Sequence, residues 1–161
     1  LSRQGEIRVP IKENIKFSEN EWYGYQNSFV STNPNQNLIK ISQNGTVSST
    51  DLGLADNNRI VADRTNLVYL NENELSINSK IVNLDFGLYT DPQLFSLKNR
   101  TLITITDTQT QKVYVFNDKA ELLEGFPVYG NSQVDIANAD LDSKLELIVK
   151  GAENEILLYE F

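Results

Sequence analysis

The sequence contains no cysteine and no histidine. The chain therefore has no ligands for a Cys/His zinc site, no Ser-His-Asp triad and no Cys-His nucleophile. Among the common acid and base side chains only Asp, Glu, Lys and Tyr remain. The lack of cysteine leaves the redox compartment open, because no disulfide is required.

Methionine is also absent, and residue 1 is Leu. We therefore expect the chain to be a processed product or a piece of a longer protein. Its first residues do not show the basic segment and apolar segment of a signal peptide. No run of 18 apolar residues is present, so no membrane-spanning helix is expected.

Basic residues are scarce: 14 Lys and Arg stand against 22 Asp and Glu, for a net charge of −8. A nucleic-acid-binding protein needs a basic surface to neutralise phosphates. We therefore expect no nucleic-acid partner. With 161 residues the chain is long enough for a single domain with one sizeable core.

Short alternating apolar runs are what the sequence has in abundance, as in 38–41, 102–106 and 113–116. They are separated by turns rich in Asn, Asp, Gly and Ser, residues that bond to nearby backbone or accept positive φ. Alternation is the period of a strand, and no long segment has the helical period. The sequence predicts an all-β fold.

An alternating strand followed by a polar turn recurs roughly every 40 residues, and a hydrophobic-Gly pair closes three of the units. The pairs are Leu52-Gly53, Phe86-Gly87 and Tyr129-Gly130. Four short strands in about 40 residues are typical of a β-propeller blade. We predict one domain over 1–161 with about four blades, at residues 14–53, 54–87, 88–130 and 131–161.

The fourth unit is one strand short. Residues 5–12 (GEIRVPIK) alternate like a strand and are predicted to supply the missing outer strand, which would close the ring and cover a sheet edge. Pro10 suits an outer strand, where its missing N–H faces solvent. The alternative is that these units belong to a larger propeller.

The acidic turn in residues 139–149 (ADLDSKLELIV), preceded by Gly125-Phe126-Pro127, resembles the FG-GAP and VCBS repeats of integrin-type and bacterial propellers. The likeness is clear over 125–161 and faint upstream. In those families the loop binds Ca²⁺, and Asp140, Asp142 and Glu146 stand at the family's acidic positions. Here the loop is about two residues shorter, and Lys144 stands where another ligand is expected. Two readings stay open: a structural turn without cofactor, or a weak calcium site.

The resemblance implies a secreted or cell-envelope location. We expect a non-enzymatic interaction or scaffold module that binds a protein or the rest of its own chain. The first alternative is a propeller that binds a glycan or small ligand, possibly with calcium. A glycosidase-like hydrolase using paired carboxylates is less favoured, since no phosphate loop, nucleophile elbow or dinucleotide fingerprint is present.

Two further expectations concern surfaces. Turns between the second and third strands of a blade share one end of a propeller with the links between blades, and that end is predicted to be acidic. The opposite end is predicted to be mixed or basic, with Arg64, Lys80, Arg100, Lys119 and Lys144. The aromatic segment 21–25 (EWYGY) is interpreted either as a ligand-stacking platform, or as an aromatic plug in the first blade or a packed loop.

Overall fold

The computed structural model describes residues 21–98 and 100–161. This part of the chain is all-β, with fifteen strands and no helix, and thus contains no helix able to cross a membrane. The predicted outer strand at 5–12 and the start of the first predicted unit, 14–20, lie outside the described residues. The strands are β1 Tyr23–Tyr25, β2 Ser28–Thr32, β3 Leu38–Ser42, β4 Val47–Thr50, β5 Arg59–Ala62, β6 Leu67–Asn71, β7 Glu74–Ile77, β8 Lys80–Asn83, β9 Gln93–Ser96, β10 Thr101–Asp107, β11 Lys112–Asn117, β12 Val128–Tyr129, β13 Asp135–Ala137, β14 Glu146–Lys150 and β15 Ile156–Glu160.

The strands form four antiparallel sheets in chain order. The first sheet is β1–β4, the second β5–β8, the third β9–β12 and the fourth β13–β15. Within every sheet each strand pairs with the strand next to it in sequence. Three sheets therefore have four strands, while the fourth sheet has three.

Alternation along the strands divides each sheet into two packing faces. In β10, Ile103 and Ile105 face the second sheet, whereas Leu102 faces the fourth sheet. The same alternation places Val113 and Val115 of β11 toward the fourth sheet. The third sheet consequently lies between its two neighbours, and all five of these side chains are buried.

Two apolar clusters join consecutive sheets. One cluster joins the second and third sheets and includes Leu70, Leu75 and Ile105. The other joins the third and fourth sheets and includes Val113 and Leu147. β1 and β2 of the first sheet contact β5 of the second. The sheets thus stack face to face in the order in which the chain forms them.

Antiparallel pairing sorts the connections onto two ends of this stack. We call "link end" the end that carries the links between sheets and the turns between second and third strands, at 33–37, 51–58, 71–73, 84–92, 107–111, 130–134 and 151–155. The remaining turns form the "hairpin end". Each side-chain hydrogen bond between sheets joins residues at the same end. Two of them lie at or near the link end, from Asn58 to Gln36 and from Thr106 to the Ser132 carbonyl. At the hairpin end, Ser96 donates to Asp63.

Two segments differ from the predicted plan. The segment 21–25 is not a loop, because Tyr23–Tyr25 form the first strand of the first sheet. Residues 121–128, where the plan of four strands in each unit predicts the last strand of the third unit, are mostly a turn: Leu122 makes one isolated bridge to Phe116, and only Val128–Tyr129 pair with β11. Gly125 adopts a φ of 85° and Pro127 has no N–H, so the chain cannot continue a ladder there.

Candidate functional site

The acidic turn between β13 and β14 brings its three predicted carboxylates together. One side-chain oxygen from each of Asp140, Asp142 and Glu146 lies within 4.8 Å of the others. The turn is held by its own acids, because Asp140 accepts the Asp142 amide at 3.1 Å and Glu146 accepts the Ala139 amide at 2.6 Å. The Asp140 bond is that of an Asx turn, in which a short side chain replaces a backbone partner, whereas the Glu146 bond ties the start of the turn to β14.

Lys144 lies beside this group. Its amide donates to Asp142 at 2.6 Å, while its ammonium pairs with Glu160 on β15 at 2.5 Å. The hydrogen bond and charge of Glu160 raise the pKa of Lys144, and Asp142 and Asp140 add to this attraction. A fixed positive charge therefore compensates the carboxylates from the side of β15. The three acids have the oxygen chemistry of a hard-cation site, with a lysine already next to them.

A second candidate surface lies at the link end, where residues 84–92 connect the second and third sheets. Phe86 is 87% exposed and Leu88 is 66% exposed. Tyr89, which follows Leu88, is buried instead, and its hydroxyl donates to the Asp85 carbonyl at 2.7 Å. Burial raises the pKa of Tyr89 first, and the neighbouring Tyr114, Asp107 and Asp85 raise it further. The connection therefore presents two apolar side chains outward while its next residue anchors it.

Asp107, at the end of β10, holds the backbone of this connection in place. Its side chain is buried and accepts the Leu88 amide at 3.1 Å, the Gln109 amide at 2.9 Å and the Thr110 hydroxyl at 2.5 Å. Burial alone would raise the pKa of Asp107, but these hydrogen bonds outweigh it and the pKa is lowered. Gly87 lies directly over the carboxylate, since a Cβ built there would be 2.6 Å from its carbon.

The link end, which includes the exposed pair, is predominantly acidic. Besides Asp107, the turns and links there carry acidic residues at seven positions, and the described bases at or beside this end are Arg59, Lys112 and Lys150. Arg59 is paired with Asp91. The acidic positions are Asp51, Asp56, Glu72, Asp85, Asp91, Glu153 and Glu155.

A cavity of about 350 Å³ opens at the same end, between the starts of β1, β5 and the link before β9. Glu21, Tyr23, Asn58, Arg59 and Asp91 line it together with Ile60 and Pro92. Tyr23 donates to Glu21 at 2.8 Å. Burial, with this bond and the charges of Glu21 and Asp91, raises the pKa of Tyr23 to about 12, so the phenol stays protonated as a donor at neutral pH.

The sequence identified the acids of the turn but missed the Phe86–Leu88 surface and the cavity. In the sequence Phe86 stands out only as part of a repeated hydrophobic-Gly pair. The pattern does not distinguish Asp107 from exposed acids. Thr110 supplies the available signal, since an Asp followed by polar donors at the end of a long apolar strand favours a buried, bonded carboxylate.

Comparison with known proteins finds no matching family model, no similar curated protein and no similar solved structure.

Proposed function

We propose that this chain is a non-enzymatic protein-interaction module built on a β-propeller plan, with the Phe86–Leu88 surface as its main contact. Support for the plan comes from four antiparallel sheets, one in each predicted unit, that stack in chain order. The first strands of the first three sheets also lie against one another, with β5 in contact with both β1 and β9. A location outside the cytoplasm belongs to the same proposal and depends on the family resemblance.

The exposed pair Phe86 and Leu88 is the observation that carries the proposal. Tyr89 of the same connection folds onto the core, whereas Phe86 and Leu88 are both exposed, and exposed apolar side chains that lie close together mark interaction sites. Here the backbone is instead fixed by Asp107, and the Leu88 carbonyl also accepts the amide and the hydroxyl of Thr108, both at 2.8 Å. A pre-ordered apolar contact loses little conformational entropy on binding, which is how interface anchors gain affinity.

The charges at the link end indicate the kind of partner. Acids there outnumber bases, and Arg59 is already occupied by Asp91. Such a surface attracts positive partners over several ångströms and repels acidic ones. The partner that fits is a protein segment with Lys or Arg residues around an apolar cleft or apolar side chains.

A random peptide library displayed on phage tests this proposal directly. We expect peptides selected on the wild-type chain to combine basic residues with an aromatic or aliphatic residue. They should bind the double variant Phe86→Ser/Leu88→Ser at least ~10-fold more weakly, as expected for removal of a contact of about 1.4 kcal/mol or more. The matched control is Leu141→Ser, which removes an apolar side chain that is 89% exposed at the opposite end.

Two results would refute the proposal. One is equal binding of the selected peptides to wild type and to the double variant, with Leu141→Ser as the calibration. The other is a set of selected peptides with no excess of Lys and Arg.

Raising the salt concentration should weaken binding if charge steers the partner, because exposed charges are screened.

A second candidate function is supported by the cavity at the link end. Its wall carries both donors and acceptors, since the carboxylates of Glu21 and Asp91 lie beside the Tyr23 hydroxyl and the Arg59 guanidinium. Its volume lies in the range of small-ligand pockets, which start near 300 Å³. A wall with both kinds of group favours a ligand with several hydroxyl groups, such as a sugar. Calorimetry with a panel of mono- and disaccharides tests this, and heat that persists in Asp91→Asn/Glu21→Gln would contradict it.

A further inference from the structure

The outer edge of the second sheet is formed by β8, which carries backbone groups without a partner among the described residues. The Leu84 amide donates to the Asn73 carbonyl at 2.9 Å, which continues the register of β7 and β8. Alternate residues of an antiparallel pair exchange such bonds, so Val82 bonds to β7. The N–H and C=O groups of Ile81 and Asn83 therefore point away from β7, as on any sheet edge that is open to another strand.

A groove of about 290 Å³ accompanies this edge, between the second and third sheets. Val82 and Leu84 line it from the second sheet. The rings of Tyr114 and Phe116 line it from β11, where they stack with centroids 6.3 Å apart and planes inclined by 7°. Leu122, which is 42% exposed, lines it from the turn after β11. The open edge of β8 thus lies next to an apolar and aromatic groove.

The edge of the first sheet provides a comparison. β4 is likewise the fourth strand of its sheet, and the Ser42 amide donates to the Thr46 carbonyl at 2.9 Å in the register of β3 and β4. The same alternation therefore points the backbone groups of Ser49 away from β3. The side chains of residues 48–50 are exposed and polar, whereas Ile81 on β8 is apolar and 59% exposed. The two edges share their backbone geometry, but β8 adds apolar side chains to it.

We propose that the partner of this module binds as an extended strand added to the edge of β8, with an apolar side chain in the groove and a basic residue near Asp85. This inference rests on the proposed function, because it specifies how the partner of the link end is held. In strand addition, backbone hydrogen bonds supply affinity, and pockets for alternate side chains supply specificity.

The alternation of β8 decides which side chain of the partner enters the groove. Residues that stand directly opposite each other on neighbouring strands share one face of the sheet. A partner residue opposite Val82 therefore points into the groove, toward Tyr114 and Leu122. The partner residues on either side of it stand opposite Ile81 and Asn83 and bond to their backbone groups. Their side chains share the outer face with Ile81, which favours apolar or β-branched neighbours.

Charge sets the second requirement on the partner. Asp85 is exposed and lines the groove at the link end, and Glu74, which stands opposite Asn83 on β7, is also exposed. At the hairpin end of the groove bases and acids balance: Lys80, Lys119, Asp118 and Glu121. A basic residue of the partner is therefore attracted to the link end of β8.

The edge of β8 is also continuous with the Phe86–Leu88 surface. β8 ends at Asn83, and the two residues between it and Phe86 are Leu84 and Asp85, which both line the groove. A strand that lies along β8 and extends beyond its link end therefore reaches the exposed pair. One extended segment with an apolar and a basic residue satisfies the edge, the groove and this surface together.

Amide hydrogen exchange on the full chain tests the proposal, with and without a synthetic peptide taken from the phage selection. At a peptide concentration of about 10 Kd, the Ile81 and Asn83 amides should exchange about 10-fold more slowly, because they exchange only from the free chain. The Val82 amide bonds to β7 and should be protected with or without peptide. The Ser49 amide is the matched control, since it points outward from the other edge and should not change.

Ile81→Pro separates backbone pairing from side-chain contact. Its missing N–H faces away from β7, so the second sheet keeps its hydrogen bonds while the partner loses one. We expect the peptides to bind this variant at least ~10-fold more weakly, because a carbonyl of the partner is left unpaired. Ile81→Ala keeps the N–H and should weaken binding less, and Ser49→Pro should leave binding unchanged. The exchange measurement uses the wild-type chain and decides the question even if a proline variant does not fold.

Peptides that bind without slowing exchange at Ile81 and Asn83 would overturn this inference. The proposed function would survive that result if the same peptides still require Phe86 and Leu88. Slow exchange of the two amides in the free chain would show that another part of the chain already covers the edge, and slowing that grows with protein concentration would assign the edge to a second copy. A selection that yields no basic peptides would remove the proposed function and this inference with it.

Discussion

Replacing Asp107 by Ala should destabilise the fold and loosen the Phe86–Leu88 surface together. The carboxylate is buried and accepts bonds from Leu88, Gln109 and Thr110. Hydrogen bonds to a charged group contribute about 1.5–3 kcal/mol each. Because Gln109 and Thr110 are exposed, water replaces part of what they lose, and we expect a total loss of about 3 kcal/mol.

The conservative variant Asp107→Asn separates the contributions. An amide side chain keeps one oxygen for the Leu88 and Gln109 amides but turns the acceptor of Thr110 into a donor. We therefore expect a smaller loss, about 1–2 kcal/mol. Asp118→Ala is the matched control: Asp118 is exposed and has no side-chain bond in the structure, so its replacement should cost less than about 0.5 kcal/mol.

Urea unfolding followed by circular dichroism measures these differences in the free energy of unfolding, provided that its slope against urea concentration is the same in all variants. In a chain of this size, a loss of 3 kcal/mol corresponds to a melting temperature lower by roughly 6–12 °C. A loss below about 1 kcal/mol for Asp107→Ala would refute the view that this carboxylate anchors the link. Faster exchange of the Leu88 amide in Asp107→Ala is the local counterpart of the same prediction.

The remaining predictions concern packing, pH and calcium. Gly130→Ala should lower the free energy of unfolding in urea by about 1–3 kcal/mol, because the added Cβ would come within 2.7 Å of Val113 and 2.8 Å of Val149. The control is Gly24→Ala, where nothing lies within 4 Å of the added Cβ, and equal effects of the two substitutions would contradict the argument. The pKa of Asp63 is lowered, because hydrogen bonds from Ser96, Thr65 and Asn66 outweigh its burial, as in Asp107. Below about pH 4 the unfolded chain then binds more protons than the folded chain, so the free energy of unfolding should be highest near neutral pH and fall below that pH. The fall should be smaller in the double variant Asp63→Asn/Asp107→Asn. An unchanged pH profile in that variant would contradict the role of these two carboxyls. Calcium should leave the melting temperature unchanged because the turn offers only three carboxylates and the positive charge of Lys144 beside them opposes a second cation; a rise with Ca²⁺ that disappears in Asp140→Asn would show that the turn binds the ion.

Strand positions were predictable where apolar and polar residues alternate along the sequence and one face of the strand is buried. This holds for β10 and β11, whose apolar residues alternate in sequence and divide between two neighbouring sheets. It failed at β1, which is three residues long, contains Gly24 and is identified by pairing with β2 rather than by its own pattern. Short strands carry too few residues to show a period, so tertiary pairing decides them.

The repeated hydrophobic-Gly pair shows why a pattern does not specify its cause. Gly53 has a φ of 65°, which favours glycine for its backbone. Gly87 is needed because Asp107 lies against it, and Gly130 because two valines do. The acids of the 139–149 turn were predicted as a group, since they are close in sequence. The partners of Gly87 and the lining of the cavity come from segments distant in sequence, and one sequence alone does not record such contacts.

The stacking of consecutive sheets has a consequence for the order in which the chain acquires its structure. The second sheet finds its apolar partner in the third, and the third finds another in the fourth, so each cluster joins residues that leave the ribosome in succession. Each newly made sheet can be buried by the sheet that follows, and the interval during which an apolar face stays uncovered is about one unit of synthesis.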